Sequence, residues 1–427
     1  MPRTTLALTS FVSGEFSAKM DGRTDFDKYT SGVKTMENFL VHPQGAATRR
    51  VGTQHIAEVK DSTKKTRLIP FEFSTTQTYI LEFGDQYMRV YKDKGQVLSG
   101  GSPFEISTPF LEAELFDIKF AQSADVMYLC HPNHDVRKLS RTGHTAWTLA
   151  TVSFTGSPSL PISGANNRPS CVSFFEQRLV FANTITNPQT LWFSKAGDYE
   201  NFTTGTNADD AMIYTIASNQ VNAIQYLKAV RTLVVGTSGG EFTVSADGTD
   251  ASITPTNVTI KRQSSFGSAG VDAIPAGNAV LFLQKAKRKI RELAYNFDSD
   301  GYVAPDLTIL NDTVTKSGVN QMIFQQEPDS IIWCVRDDGV LAGLTYQRSE
   351  NVVAWHRHIF GGAFGSGNSV CESAASISGT LTEDELWVIV KRTINGATKR
   401  YVECFSDFDF DETTATDFKF LDSHLNY

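Results

Sequence analysis

The sequence predicts an all-β protein, a β-propeller of six or seven blades, preceded by an N-terminal arm or platform that contains a helix. Three observations lead there. The chain is rich in rings, with 29 Phe, 13 Tyr and 5 Trp in 427 residues, and rings favour pleated, half-buried surfaces. Short apolar runs alternate with Gly, Asp and Asn turns from about residue 67 onward, the pattern of strands and hairpins. Finally, a strongly apolar five-residue strand recurs at 79–83, 126–130, 179–183, 233–237, 280–284, 331–335 and 386–390, with starts 47, 53, 54, 47, 51 and 55 residues apart. A period near 50 with several strands per repeat matches a four-stranded blade. Runs in which neighbouring positions are apolar, not only alternate ones, point to burial on both faces of a sheet. A pair of β-sandwiches also supplies many short strands, but it requires no even spacing.

The elements follow in order. Residues 21–41 carry Phe26, Tyr29, Val33, Met36 and Leu40 at spacings of three and four. These predict a helix near 24–41, capped by Thr24 or Asp25. A loop rich in Gly and Arg follows at 43–53. Residues 1–65 thus form the arm or platform, and the segment from Gly14 to Thr53 is expected to leave the propeller and dock on another chain. Residues 66–406 form the propeller. Residues 407–427 open on an acidic strand, DFDFDE, whose acids Asp407, Asp409, Asp411 and Glu412 are the channel-lining candidates; the Asp/Phe alternation sets Asp407, Asp409 and Asp411 on one face opposite Phe408 and Phe410.

Composition narrows the function. The net charge of −8 lacks the basic excess with which proteins grip phosphates. Cys130, Cys171, Cys334, Cys371 and Cys404 are odd in number and far apart, which reads as buried free thiols made in a reducing cytoplasm. The first residues lack the apolar stretch of a signal peptide, and no run reaches the length of a membrane span. Cytoplasmic folding without export or stable membrane insertion is the expectation.

The chemistry-bearing motifs are few. Cys130, His131 and His134 stand together in C-H-P-N-H; they open a zinc pattern, yet no further ligand lies nearby and a strand end followed by a polar turn accounts for them. His356 and His358 alternate on one strand face beside Trp355, where an exposed polar face is expected. Gly236 to Gly240 reads as a hairpin turn, since neither Lys nor a helix follows. Ser140 to Trp147 departs from the Asp-box of sialidase propellers, with Thr142 where the Asp belongs. Lys285, Lys287, Arg288, Lys289 and Arg291 form a solvated basic turn. No metal, cofactor or catalytic set is expected.

A longer set of motifs carries a resemblance. Gly22-Arg23-Thr24-Asp25, Lys28-Tyr29, Gly32 and Asn38, then His42-Pro43-Gln44-Gly45 and Arg49-Arg50-Val51-Gly52-Thr53, resemble the N-terminal signature of the tail tubular or nozzle proteins of short-tailed bacteriophages. Val51 stands where the family usually has Pro. Weaker matches run along the chain, among them Leu191-Trp192-Phe193-Ser194-Lys195 and Arg400-Tyr401-Val402-Glu403. The resemblance implies a structural virion subunit, not an enzyme. Six copies would form a ring of the tail tube beneath a head-to-tail adaptor, with tail fibres or spikes nearby and genomic DNA passing through without specific binding. Inter-subunit docking would fall to Arg23, Asp25, Lys28, Tyr29, Arg49 and Arg50. Family members typically continue past Leu421-Asp422-Ser423, which implies a tip region that is absent or separate here. A tail-tip glycan hydrolase and a receptor-binding propeller are the alternatives; the hydrolase would need an acidic pair about 5–10 Å apart.

Six copies multiply any lumen-facing acid into rings, which repel DNA over a Debye length of ~8 Å at physiological salt. The acidic stripe is assigned to the channel on that ground. Replacing Asp407, Asp409 and Asp411 with Lys is expected to slow genome ejection, most of all at low salt. Ejection at the wild-type rate at every ionic strength contradicts the assignment.

Overall fold

The computed structural model describes residues 8–156, 158, 160–217, 220–248, 251–379, 383–407 and 418–425. The chain folds as two compact units, one of residues 1–84, 89–97 and 307–427 and the other of residues 85–88 and 98–306. Strands dominate both, and the helices among the described residues are short 3-10 turns.

The second unit holds four meanders, each of four antiparallel strands in sequence order. Sheet 2 runs Lys119–Ser123, Val126–His131, His134–Gly143 and Ala146–Thr151. Sheet 3 runs Cys171–Phe175, Arg178–Ala182, Thr190–Phe193 and Met212–Thr215. Sheet 4 runs Ile224–Ala229, Leu233–Thr237, Gly240–Ala246 and Val258–Ser264. Sheet 5 runs Ile274–Ala276, Ala279–Leu283, Ile290–Asn296 and Gly301–Val303.

The first unit holds three more sheets. Sheet 1 contains Arg67–Ser74, Gln77–Gly84 and Tyr87–Lys92; the first two of that last strand's residues count with the other unit. Sheet 6 runs Val319–Gln325, Ile331–Arg336, Leu341–Gln347 and Val352–His358. Sheet 7 runs Val370–Ser378, Asp384–Ile394 and Ala397–Phe405, and its fourth strand is Thr53–Glu58 from the other end of the chain.

Every one of the seven apolar runs singled out in the sequence lies in the second strand of its sheet. Alternate side chains of such a strand go to opposite faces, and both faces are dry. Val180 and Ala182 join a core shared by sheets 3 and 4, whereas Leu179 and Phe181 join one shared by sheets 2 and 3. Leu386, Val388 and Val390 likewise pack toward sheet 6, and Trp387 and Ile389 toward sheet 1. Sheet-on-sheet packing through both faces explains why adjacent positions in these strands are apolar.

The N-terminal region departs from expectation. In place of a helix over 24–41 there is one 3-10 turn, Asp27–Ser31, followed by Gly32–Val33 and Phe39–Val41. The spaced residues go to separate places: Met36 packs on Val352 and Ala354 with Val33 beside it, Leu40 joins the core of sheets 6 and 7, and Tyr29 stacks on Phe16. The segment from Gly14 to Thr53 does not leave the first unit. Gly14–Glu15 and Gly32–Val33 extend sheet 6 in parallel pairing, with Gly14 opposite Trp355. Gly14 is required there: its φ is +62° and a Cβ would lie 2.3 Å from the Trp355 nitrogen. The buried Glu15 carboxylate fastens the segment, accepting from the Met36 amide at 2.8 Å and the Arg357 guanidinium at 3.0 Å. The domain start also moves, from residue 66 to Thr53, because Thr53–Glu58 belongs to sheet 7.

Two buried polar clusters sit in these sheets. Glu403 is wholly buried. It accepts from the Thr53 hydroxyl at 2.6 Å and pairs with the Arg392 guanidinium, itself buried. His356 and His358, expected on an exposed face, are instead fully buried. Sheet 6 is covered on that face, and the rings hydrogen-bond to each other, Nδ1 of His356 to Nε2 of His358, at 2.6 Å beside Trp333.

The Glu403 cluster predicts a non-additive pair. Glu403→Ala strands the Arg392 charge and is expected to cost about 3–5 kcal/mol, as removal of one partner of a buried pair does. Joining it with Arg392→Met should recover much of the loss. A urea-unfolding cycle with strictly additive costs contradicts the assignment.

The histidine pair predicts a pH dependence. Burial lowers the proton affinity of both rings, that of His356 to about 3 with His42 adding to the effect, and that of His358 well down, with His356 and Arg50 adding. Unfolded imidazoles titrate near ~6.5. The unfolded chain therefore binds more protons below that value, so their contribution is complete above pH ~6.5 and is lost as pH falls toward 3. Buried His131 acts in the same direction. Unfolding free energy is expected to drop from pH 6.5 to pH 5, before most carboxylates titrate, and to drop less in an H356Q/H358Q variant. A flat wild-type profile contradicts this.

Candidate functional site

The N-terminal signature is the densest concentration of sequence-marked residues, and the fold divides it in two. One half is internal. Arg50, expected to meet another subunit, is buried and binds its own chain. Its guanidinium is bidentate on Asp422, both contacts 2.7 Å, and donates to the carbonyls of Val51 and Ile359 at 2.9 Å and to Asn38 Oδ1 at 3.1 Å. It also lies over Phe360 and Phe405, 5.1 and 5.8 Å from the ring centroids. Burial alone would raise the Asp422 carboxyl, but Arg50 and the Gly361 amide hold it below the usual range.

The neighbours of Arg50 serve the same end. A Cβ on Gly52 would fall 1.9 Å from the Leu421 carbonyl oxygen, so only glycine lets the chain pass. The Gly52 amide donates to Lys419, the His55 amide to His424 and the His424 amide to Thr53. Residues 418–425 thereby run beside the outer strand of sheet 7. Asn38, Arg50, Gly52 and Thr53 thus form a clasp between the chain's early and late segments.

The other half of the signature stays outside. Arg23 and Asp25 form an exposed bidentate pair at 2.8 and 2.9 Å, an arrangement that adds little stability in water. Lys28 and Tyr29 are half-buried; Tyr29 stacks on Phe16 at 6.2 Å and its hydroxyl accepts from the Gly22 amide at 3.2 Å. Arg49 is exposed over the Phe420 ring at 5.3 Å. These residues form a charged outer surface of the first unit.

Of the acidic stripe, Asp409, Asp411 and Glu412 lie outside the described residues. Asp407 is paired with Lys94. It stands at the edge of a cleft between sheets 6 and 7, floored by Leu40, Val51, Trp333, Leu386 and Phe405 and edged by Asp329, Glu383, Asp384 and Glu385. Asp329 pairs with His42 at 2.8 Å. Asp384 accepts the Gln326 and Glu327 amides at 2.7 and 3.1 Å, and Glu385 accepts the Trp387 indole N–H at 2.9 Å. Burial raises the Glu385 carboxyl, and Asp407 adds to the effect. The rim as a whole is acidic and would repel a phosphate backbone.

The remaining motifs are placed as follows. All five thiols are free and buried, and burial pushes Cys171 up to about 12 and Cys130 well up, which removes thiolate chemistry. Gly236 to Gly240 is the central hairpin of sheet 4. Trp147 is buried in the hairpin of sheet 2, its indole N–H on the His144 carbonyl at 3.0 Å. In the basic turn, Lys289 pairs with Asp306 at 2.8 Å and Arg291 lies over Phe266 at 3.5 Å. Cys130 faces a hydrophobic core and is not among the groups gathered at the histidines. A third group does meet the histidines: a carboxylate oxygen of Glu114 and one ring nitrogen each of His131 and His134 lie within 4.8 Å of one another. Sequence spacing hides this, because Glu114 sits on a separate 3-10 turn, Glu112–Asp117.

No protein-family model matches the chain, and no curated protein matches it in sequence. Among solved structures it is similar to U3-55K, with 8% identity, 83% of this chain and 100% of that chain covered, and a TM-score of 0.50. It is also similar to the β-propeller domain of Cps50 (Swd1) from Myceliophteria thermophila, with 9% identity, 82% and 99% covered, and a TM-score of 0.47. The Pan2 WD40 domain of Neurospora crassa gives 8% identity, 84% and 96% covered, and a TM-score of 0.47. At such identities a likeness speaks to fold alone. With the meanders described above, it makes this chain an all-β propeller.

Proposed function

We propose that this chain is a structural subunit of the tail tube of a short-tailed bacteriophage, assembled in the host cytoplasm as a ring of six copies through which the genome leaves. The observation that carries the reading is the N-terminal signature. Its motifs resemble those of nozzle proteins, and in this fold Arg50, Gly52 and Thr53 each have a physical task in joining the two ends of the chain. A signature made of such interlocking parts resembles a family by necessity of construction more than by chance of composition.

Charge supports the same reading. Each phosphate held by Lys or Arg would add salt-sensitive affinity and slow a sliding polyanion. A net charge of −8 and an acidic cleft rim suit passage without binding. The exposed Arg23, Asp25 and Arg49, with the half-buried Lys28 between them, offer a mixed-charge surface for the adaptor or a neighbouring copy, and fibres or spikes would attach to the assembled ring. Arg50 is withdrawn from that docking set, since its hydrogen bonds are already made within the chain.

Mass measurement of the assembled particle under native conditions is expected to give six copies per ring. A species that stays monomeric in the presence of its adaptor contradicts the proposal. Cleavage of host-surface glycans by the purified chain would favour the tail-tip hydrolase instead.

A further inference from the structure

The turn of sheet 2 carries a group of side chains that the tail-tube reading does not use. His131 and His134 are directly opposite one another across a two-residue turn, Pro132-Asn133. Opposed residues of a hairpin project to the same face, with Cβ atoms about 4.5–5.5 Å apart. Their ring centroids are 5.3 Å apart. Phe110 closes the group on one side, its ring 5.1 Å from His134 and 6.2 Å from His131. Glu114 enters from the 3-10 turn, its carboxylate fixed by the Leu111 amide at 2.9 Å, by Asn133 Nδ2 at 2.9 Å and by His134 Nε2 at 2.7 Å.

His131 is the telling member. It is 2% exposed. Its Nδ1 accepts the Asn133 amide at 3.1 Å, while its Nε2 is buried without a partner. A buried ring nitrogen left unpaired costs the desolvation of that group, so an unfilled Nε2 beside a carboxylate and a second imidazole calls for an occupant.

We propose that Glu114, His131 and His134 bind one divalent cation of the zinc class. Two imidazole nitrogens and one carboxylate oxygen are a donor set that suits zinc and its neighbours. Magnesium and calcium prefer all-oxygen shells and are excluded by the two rings. Ligation through His131 Nε2 places the ring proton on Nδ1, so the Asn133 amide must turn away from it. The cation takes the place of the hydrogen bond between Glu114 and His134, and it ties the 3-10 turn to the sheet 2 hairpin as a clip.

The test uses the full chain with zinc chloride or cobalt(II) chloride and no other ligand. Calorimetric titration is expected to give one ion per chain, and cobalt to develop visible d–d absorption. E114Q and H134Q are each expected to weaken binding by about tenfold or more, the scale on which even supporting residues of metal sites act. H144Q, on the next hairpin of the same sheet, should leave binding unchanged. In the wild-type protein, zinc should move the Asn133 amide resonance and raise Tm by mass action. No stoichiometric uptake by the wild type overturns the proposal without reference to any variant, as does uptake that E114Q and H134Q leave unaltered.

Discussion

Strand Thr53–Glu58 completes a sheet whose other three strands lie more than 300 residues later in the chain. That pairing is the constraint on which the first unit depends. Without it the strand Ala397–Phe405 would present an open edge, with its backbone groups unpaired and available to another chain. The pairing also supplies the Thr53 hydroxyl to Glu403, whose buried charge is tolerable only while Arg392 and Thr53 both face it. Loop closure over such a span is entropically unfavourable, although the cost grows only slowly with length. A cooperative set of contacts offsets it: the strand ladder, the Arg392–Glu403 pair and the Arg50–Asp422 pair outside them.

This closure changes the meaning of the N-terminal signature. Read as sequence, a run of Arg, Gly and Thr invites a docking role. In the fold, Arg50 is consumed by its own chain, and Gly52 is there because Leu421 passes too close for any side chain. The charged residues left over, Arg23, Asp25, Lys28 and Arg49, are those that contribute least to the closure. A tail-tube subunit under internal DNA pressure would need such a division, with one set of residues holding each copy shut and another set facing its neighbours. The propeller alone does not argue for that role, since one fold hosts many functions.

The propeller was legible because the second strand of each sheet has both faces covered, so its burial is written as a predominantly apolar run with neighbouring, not alternating, apolar positions. The closing strand was not legible. In Thr53–Glu58 the residues packed against the hydrophobic core, Ile56 and Ala57, stand among polar neighbours, so no apolar run marks the strand, which put the domain start at 66. The false helix over 24–41 came from apolar residues spaced by three and four; here an irregular segment sends them to different partners, Met36 and Val33 to Val352 and Ala354, Leu40 to the core of sheets 6 and 7, and Tyr29 to Phe16. His356 and His358 looked exposed because polar residues usually are, yet they are buried and hydrogen-bonded to each other inside sheet 6. Glu114 was invisible beside the His131 turn because nothing in a linear pattern connects a 3-10 turn to a hairpin twenty residues away.

Native-state hydrogen exchange tests the closure most directly. The account predicts that the hydrogen-bonded amides of Thr53–Glu58 are protected as strongly as those of Ala397–Phe405, and that both exchange together in one cooperative opening. Exchange of Thr53–Glu58 at the rate of an exposed loop, while Asp384–Ile394 and Ala397–Phe405 stay protected, would contradict it.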